Sequence, residues 1–406
     1  MCPTSHQPTG NGTDDARPSS QSPSQAPFPW HVGVCDAHCH PTDTMSSIAR
    51  IGGMKARAIT IMATRAQDQD LVADVSNNLA ISSRNDLRTE AEGPRRVVPA
   101  FGWHPWFSHQ LFDGAESQLS SKAKHYGEVL TPAPDAEFIE SLPEPRRLAD
   151  FLAETRQRLE RNPLAMVGEV GVDKAFRLPQ NWDRAEQSAR EAGITPGGRE
   201  GRMLSPYHVK PQHQVNILKA QLRLAGETGR AASIHGVQAH GVLFEALESL
   251  WKGHEKEVIS RRKKRLVAEG AEDFSSSDEG EDDDDDEGRR AAYRPKPFPP
   301  RICLHSFSAP VQMLRQYLHP AIPVEIFFSF STCVNLGNAG LETKFAEVVK
   351  ACPDDRLLVE SDLHMAGDEM DCQLEQIARK VCAVKGWELE EGLRIIRNNY
   401  ERFIFG

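Results

Sequence analysis

The sequence predicts an α/β protein, a (β/α)8 TIM-type barrel with long insertions. Eight short runs, rich in Val and Ile, have the continuous apolar character of buried parallel strands. Segments with apolar residues at helical spacing lie between these runs. Eight strands that alternate with helices favour a closed parallel barrel over an open sheet. The 406 residues accommodate one barrel of about 250 residues together with insertions.

Each predicted element follows from its local pattern. The strands are predicted at 32–37, 57–64, 96–103, 165–173, 231–236, 301–307, 323–330 and 356–362. In 208–228, apolar Val215, Leu218, Leu222 and Ala225 recur at the spacing of one helix face. Similar patterns predict helices at 146–160, 239–251, 310–319, 340–350 and 371–383.

Three segments are too long for ordinary connections. Residues 106–145 and 177–207 each follow a strand and precede a helix, which predicts that both lie on the catalytic face of the barrel. Residues 253–299 follow a helix and precede a strand, so we expect them on the opposite face. Residues 1–30 are polar and rich in Pro, Ser and Gly, which predicts a disordered tail before a barrel domain at 31–406.

The net charge of −10 comes from one part of the chain. Residues 272–287 hold eleven acidic and no basic residues, and the rest of the protein carries +1. The overall charge therefore neither supports nor excludes a phosphate-rich substrate. The same insertion carries the basic run RRKKR at 261–265, and block charges of this kind predict a solvated, disordered segment that could engage a protein partner.

The sequence also bears on compartment. The eight cysteines are scattered without a C-x-x-C pair, which indicates reduced thiols rather than a disulfide framework. No stretch approaches the roughly 18 apolar residues of a membrane span. These observations predict a cytoplasmic or nuclear protein, or one found in both compartments, without membrane association.

The first predicted strand ends in a histidine pair. In Asp36-Ala-His38-Cys-His40, residues two apart point to the same side, so His38 and His40 project together toward the barrel mouth. Two neutral imidazoles form a grip for a divalent metal ion. Asp36, on the same side, could orient one of them from behind. H-x-H alone is a weak signal, because packed or exposed histidines are as common.

Four other predicted strands end in an ionisable residue. These are Glu169, His235, His305 and Asp362, each at the carboxyl end of an apolar run. One such group alone is better explained as a satisfied core residue, but six at one barrel mouth indicate metal binding. Six ligands suit two ions that share a bridging carboxylate. We predict Glu169 as the bridge, with His38, His40 and Asp362 at one ion and His235 and His305 at the other.

Further candidates lie beside this set. Glu169 and Asp362 are the predicted catalytic residues. His104 could contact a phosphate or pack beside Pro105, and Trp103 could stack on a base or belong to the core. Asp173 could hydrogen-bond a ligand or cap the following turn. Histidine and carboxylate ligands accept Mg, Mn or Zn, so the metal stays open.

The ordered motifs DAHCH, FGWHPWF, VGEVGVD, HQVNILKAQLRLAGE, ASIHG, CLHSFS, LLVESD and NNYERFIFG resemble the TatD family of metal-dependent deoxyribonucleases. The resemblance spans roughly 32–406 and is specific as an ordered set. It implies a TIM barrel with a two-metal site that hydrolyses DNA phosphodiesters, often from an end. It assigns metal ligation to the same six residues.

Two motifs depart from the family pattern. Gly236 and Val237 follow His235, where the family usually has an Arg two residues on, and Leu363-His364 replaces a small residue and Pro after Asp362. These departures affect positions that would touch the substrate, while all six ligand positions are kept, and the predicted function is a two-metal deoxyribonuclease acting on DNA. The alternatives are a barrel hydrolase for an amide, nucleobase or small phosphoester, and a scaffold that engages partners through 253–299.

Overall fold

A barrel of eight parallel strands forms the centre of the molecule. The computed structural model describes residues 26–88, 96–114, 121–182, 193–258 and 294–406. The strands, in chain order and in the order of their pairing, are β1 (Cys35–Cys39), β2 (Ala58–Met62), β3 (Val97–Phe101), β4 (Met166–Asp173), β5 (Ala232–Val237), β6 (Arg301–Leu304), β7 (Glu325–Phe330) and β8 (Leu357–Val359). Nearly every strand residue is buried, as expected when helices cover the outer face.

Backbone hydrogen bonds beyond the strand ends join the last strand to the first. Asp362 N donates to His38 O over 3.0 Å, and His40 N donates to Leu363 O over 2.8 Å. The nearly closed barrel confirms the predicted fold class, and all eight predicted strands are present. Strand β1 begins at Cys35 rather than at residue 32, because Trp30–Val32 forms a 3-10 turn that ends at Gly33 with φ 90°.

Six helices lie between strands and two more follow the last strand. They are α1 (Ala66–Leu79), α2 (Leu148–Arg161), α3 (Pro211–Glu227), α4 (His240–Trp251), α5 (Val311–Tyr317), α6 (Ala339–Ala351), α7 (Asp368–Lys385) and α8 (Leu389–Phe405). Apolar periodicity predicted α2 to α7 but missed α1, because three of the five buried side chains of α1 are polar: Asp68, Gln69 and Ser76. The motif NNYERFIFG lies in α8, apart from its last residue.

The C-terminal helix α8 covers the amino-terminal end of the barrel. Its Tyr400 and Phe403 are buried in one apolar cluster with Cys35, Ala58 and other strand residues. The Tyr400 hydroxyl and Thr60 Oγ1, on β2, are hydrogen-bonded at 2.8 Å. This end of the barrel is therefore filled by packing, and the opposite, carboxyl end is the one that stays open to a ligand.

The described parts of the insertions contain short elements. Between β3 and α2 lie a 3-10 segment (Pro105–Gln110), helices Lys122–Val129 and Ala136–Ser141, and short strands Leu111–Phe112 and Leu130–Thr131 that pair with Arg146–Arg147 and His208–Val209. Further 3-10 segments are Pro41–Gly53 and Asp354–Arg356, and further short helices are Asn85–Arg88 and Thr332–Asn335. The predictions for 1–25 and 259–293 lie outside the described residues. Among the described helices, none has the length and apolarity needed to cross a bilayer.

Close approach of two strands positions the site. A Cβ on Gly171 of β4 would lie 2.1 Å from His235 O on β5, so only glycine allows these strands to pair at this register. Gly171 lies two residues after Glu169, and the pairing sets His235 beside that carboxylate. The backbone spacing of β4 and β5 thus decides where the two side chains meet.

Candidate metal centre

Six ionisable side chains meet at the carboxyl end of the barrel. They lie on five strands or on the short segments that follow them, and they are His38, His40, Glu169, His235, His305 and Asp362. Five of the six are buried, and the side chain of Asp362 is 18% exposed. The structure therefore brings together all the residues that the strand ends singled out in the sequence.

One oxygen of Glu169 faces the histidine pair of β1. Glu169 Oε2 lies 3.5 Å from His38 Nε2 and 3.4 Å from His40 Nε2, and the two Nε2 atoms are 3.1 Å apart. Asp362 Oδ1 lies 3.6 Å from His40 Nε2 and 3.9 Å from His38 Nε2. Ser233 Oγ is hydrogen-bonded to His38 Nδ1 at 2.9 Å, which holds the ring with Nε2 toward the centre.

The other oxygen of Glu169 faces a different set of histidines. Glu169 Oε1 lies 2.7 Å from His305 Nε2, 2.9 Å from His235 Nδ1 and 3.2 Å from His104 Nε2. His235 Nδ1 and His305 Nε2 are 3.1 Å apart. The two oxygens of one carboxylate therefore belong to two groups of donors.

These donor atoms fit divalent metal ions. Two donors bound about 2.1 Å from one ion at a tetrahedral angle lie about 3.4 Å apart. On the Oε2 side, the Nε2 atoms of His38 and His40 are 3.1 Å apart, and each lies 3.4 to 3.9 Å from the nearest oxygens of Glu169 and Asp362. Imidazole and carboxylate ligands suit zinc and other first-row divalent ions. The residues present can thus hold a metal.

The electrostatics of the cluster favour a bound cation. Burial opposes ionisation of Glu169, but its interactions with the neighbouring imidazoles of His104, His305 and His38 hold the pKa of its carboxyl well below the usual range. Burial also opposes charge on His40, yet the hydrogen bond to Asp362 and the charge of Glu169 raise the pKa of His40 to about 9. The pKa of His38 is lowered by burial and by neighbouring His305. Ionised carboxylates at this position can attract either protons or metal to the histidines.

Asp173 orients His235. Its Oδ2 lies 3.2 Å from His235 Nε2 and accepts a 2.6 Å hydrogen bond from Trp106 Nε1. Its Oδ1 accepts from the backbone of Ala175 and Phe176 at 2.8 and 2.9 Å. Both roles considered for Asp173 from the sequence, the bond to a candidate ligand and the cap of the turn, therefore occur together.

Asp36 contacts backbone rather than an imidazole. Its Oδ1 accepts from His38 N at 3.1 Å and from Ser361 N at 3.0 Å, and Ser361 Oγ donates to its other oxygen. The expectation that Asp36 orients a histidine ring is therefore wrong, because its carboxylate contacts backbone N–H groups and the Ser361 hydroxyl. Asp36 instead ties β1 to the segment after β8, the segments that carry His38 and Asp362.

The two candidate substrate contacts, His104 and Trp103, lie in different surroundings. Trp106 N donates to His104 Nδ1 over 3.2 Å, so the proton lies on His104 Nε2, which donates to Glu169. Burial lowers the pKa of His104 to about 4, which keeps the ring neutral. Trp103 is wrong as a base-stacking candidate, because it is 2% exposed and its ring packs against Phe151.

Sequence reasoning missed Glu360. Its carboxylate is completely buried, and Oε1 accepts from Ser306 N at 2.7 Å and lies 3.7 Å from His305 Nδ1. Within the described residues, Glu360 Oε2 and His305 Nδ1 have no hydrogen-bond partner. The signal was available in VESD, where Glu360 precedes Asp362 by two residues, but a strand residue next to an apolar run reads equally well as structural.

A cavity of about 560 Å³ opens above the cluster. Its walls include Trp106, Phe107, Phe176, Ile194 and Val237, and its floor includes Glu169 and the histidines. The rings of Trp106 and Phe176 stack at 4.5 Å. The size lies within the roughly 300–1,000 Å³ typical of small-ligand sites, so the candidate metal ligands are accessible through a pocket with mostly apolar walls.

Comparison with known proteins identifies the family of this chain. The sequence profile of the family described as TatD related DNase matches residues 35–405. Cut9-interacting protein scn1 of Schizosaccharomyces pombe is 34% identical over 375 residues, which are 91% of this chain and 98% of that protein. A Saccharomyces cerevisiae protein named as an uncharacterized deoxyribonuclease is 28% identical over 217 residues, covering 52% of this chain and 59% of that protein.

Solved structures share the fold. The crystal structure of a TatD family hydrolase from Entamoeba histolytica is 12% identical and has a TM-score of 0.50, with 92% of this chain and 98% of that chain covered. At this identity the likeness speaks for the barrel alone. The profile match covers most of the sequence, and the chain belongs to the TatD related DNase family. It is therefore a metal-dependent hydrolase, as the resemblance implied.

Proposed function

We propose that this enzyme hydrolyses phosphodiester bonds of DNA with two divalent metal ions, Mg, Mn or Zn. His38, His40 and Asp362 would hold one ion, His235 and His305 the other, and Glu169 would bridge them. The observation that carries this proposal is the division of the Glu169 carboxylate, with Oε2 at 3.4 Å from His40 Nε2 and Oε1 at 2.7 Å from His305 Nε2. Cleavage from a DNA end is the mode that we expect, since the cluster lies inside a pocket.

The side chains have distinct roles in this proposal. When bound, a pair of divalent ions supplies Lewis acidity and a nucleophilic water at neutral pH. Asp362 is the candidate proton acceptor, because its side chain is 18% exposed and that of Glu169 is 4% exposed. Asp173 and Ser233 keep His235 and His38 in one orientation, so the donors are in place before metal binds.

The test is cleavage of single- and double-stranded DNA by metal-stripped protein, with Mg, Mn or Zn added back and the bound metal counted. Wild type should bind two ions per chain and recover cleavage. Glu169→Gln removes the ligand that the two ions would share. The rate of DNA cleavage should fall at least a hundredfold, which is the scale of removing one major catalytic contact. Glu248→Gln, the same change on the exposed face of α4, is the matched control.

The outcomes separate the parts of the proposal. One ion per chain with full cleavage would refute the two-ion site and leave the hydrolase. Full cleavage by Glu169→Gln would refute the bridge. Metal binding at the expected ratio without cleavage of any DNA would direct the search to another phosphoester or to an amide or nucleobase substrate.

A partner-binding role is the second candidate function. It is favoured by one observation: the relative that is 34% identical over 91% of this chain is named for interaction with another protein, Cut9. We propose that 253–299 forms the partner contact here, since its charge blocks suit a charged surface. Loss of partner capture on removal of 259–293, with metal binding intact, would support it. The RRKKR run at 261–265 and the scattered cysteines support a cytoplasmic or nuclear location.

The proposed organisation follows the sequence. We propose residues 1–30 as a tail, 31–406 as the barrel domain, 106–145 and 177–207 as insertions at the catalytic face, and 253–299 as an insertion at the opposite face. Ile194 and Thr195 of the second insertion line the cavity, which supports its placement. Trp251 ends α4 and Arg301 begins β6, which supports the placement of the third. Limited proteolysis would test the tail and the third insertion.

A further inference from the structure

The cavity above the cluster contains few cations. Among the described residues that line it, Arg65 and Arg199 are the only arginines, and no lysine is present. Val237, two residues after His235, contributes an apolar surface. The acidic lining residues include Asp43, Glu169, Glu200 and Asp362. A polyanionic substrate therefore needs a positive contact beyond the metal ions, and the choice lies between two guanidinium groups.

Arg65 is already committed to the protein. It is 3% exposed, and it forms ion pairs with Asp43 at 2.9 Å and Asp68 at 3.1 Å. Its Nε and Nη2 donate to Pro196 O at 3.1 Å and Thr195 O at 3.2 Å. Two carboxylates balance its charge, and its donors are engaged. Arg65 therefore holds residues 195–196 against the barrel and cannot also bind a substrate anion.

Arg199 is attached to the segment that Arg65 holds. Thr195 N donates to Asp43 O over 2.8 Å, and Arg202 donates to Gly198 O. These bonds, with those of Arg65, fix both sides of the turn that contains Arg199. The guanidinium is thus presented by a tethered loop, so little conformational freedom is lost when it binds.

The guanidinium of Arg199 keeps hydrogen-bond donors available for a ligand. Its Nε donates to Arg202 O over 3.1 Å. Within the part of the chain that the structure describes, no carboxylate pairs with it, and its two terminal nitrogens have no acceptor. The residue is exposed and lines the cavity. Terminal nitrogens of this kind match two oxygens of one phosphate in a bidentate contact.

We propose that Arg199 binds a phosphate of the DNA chain next to the one being cleaved. This inference rests on the proposed function, since it assumes a substrate with more than one phosphate. In this arrangement the scissile phosphate lies at the candidate metal ligands. The neighbouring internucleotide phosphate lies beside the part of 177–207 that lines the cavity. Arg199 thereby supplies from 177–207 the positive contact that Val237 does not provide at the end of β5.

Two substrates and three variants test the subsite. Bis(p-nitrophenyl) phosphate has only the phosphate that is cleaved, and a six-nucleotide single strand has neighbouring phosphates as well. Arg199→Gln should raise KM for the oligonucleotide about 10- to 100-fold without changing kcat. Neither KM nor kcat for bis(p-nitrophenyl) phosphate should change. The slope of log KM against log salt should fall by about 1. Arg199→Lys should raise KM for the oligonucleotide less than Arg199→Gln does, because lysine keeps the positive charge but cannot form the bidentate contact.

Arg177→Gln is the matched control, because Arg177 is an exposed arginine of the same insertion that is absent from the cavity lining. Equal effects of Arg199→Gln and Arg177→Gln would overturn the subsite, and so would an equal loss on both substrates. If wild-type holoenzyme cleaves neither substrate, anisotropy with a fluorescein-labelled six-nucleotide strand still decides. If Arg199→Gln weakens binding of this strand, the phosphate subsite stands and the nuclease activity is refuted. If Arg199→Gln binds the strand as wild type does, both the subsite and the nuclease activity are refuted.

Discussion

Asp173 Oδ2 lies 3.2 Å from His235 Nε2, while the other ring nitrogen, Nδ1, lies 2.9 Å from Glu169 Oε1. One carboxylate therefore decides which nitrogen of His235 is available to a metal ion. Burial opposes charge on Asp173, but hydrogen bonds from His235 and Trp106 lower its pKa to about 2, so it is ionised at neutral pH. The bond makes Nε2 the protonated nitrogen and leaves the Nδ1 lone pair for the metal.

Asp173→Asn should lower metal affinity by about 10- to 100-fold, because the amide cannot hold the His235 tautomer as a carboxylate does. The measurement is competition for the metal with a chelator of known affinity. Asp135→Asn is the control, since Asp135 caps the helix Ala136–Ser141 and does not contact the cluster. Equal affinities of the two variants would contradict this role of Asp173.

Metal affinity should rise with pH up to about 9. His40 must lose its proton to bind a metal, and its pKa is raised to about 9 by Asp362 and Glu169 against the effect of burial. The proton therefore competes with the metal below pH 9, and affinity should increase by up to about tenfold per pH unit between 7 and 9. Calorimetric titration at several pH values measures the slope.

The same pKa sets the stability of the metal-free protein. A histidine whose pKa is raised on folding stabilises the fold fully below its unfolded pKa, and this contribution disappears as pH rises through the folded value. Metal-free protein should thus lose melting temperature between pH 6.5 and 9, while metal-loaded protein should not. Glu169 also raises the pKa of His305 well above its usual range, against the effect of burial, so His40→Gln should reduce rather than abolish the pH dependence of metal affinity and of the melting temperature. An unchanged slope in that variant would assign the proton to another group.

Trp103→Ala should destabilise the protein by about 3–5 kcal/mol, as expected for a large aromatic side chain removed from a core. Trp103 packs against Phe151, and its Nε1 donates to Phe107 O over 2.8 Å. Urea unfolding measures the loss, and KM of the folded fraction should stay the same. A stable variant with a raised KM would restore the stacking role expected from the sequence.

Removing 259–293 should leave kcat nearly unchanged. The segment is inserted in the chain between α4 and β6, and we propose that it lies at the amino-terminal end of the barrel, whereas the six candidate metal ligands lie at the carboxyl end. Residues 294–300 should be kept, because Phe298 is buried in the main core cluster. A variant that keeps its melting temperature but loses turnover would show that the insertion reaches the catalytic face.

The sequence was sufficient for the barrel and for the six candidate ligands. Strands of a buried parallel sheet are continuous apolar runs that are visible locally, and parallel strands in a barrel bring their carboxyl ends to one mouth. A histidine or carboxylate at such an end is therefore placed by topology, without knowledge of its neighbours. His235 and His305, 70 residues apart, could be expected to meet for this reason.

Tertiary structure decided the contacts that depend on packing. Trp103 and Trp106 are alike in sequence, yet the 3-10 segment Pro105–Gln110 buries the first and turns the second to the cavity. Asp36 lies two residues before His38 but contacts Ser361, across the closure of the barrel. The availability of Arg199 depends on Arg65, 134 positions earlier, being paired elsewhere. Such relations arise from side chains on separate segments, and local periodicity carries no information about them.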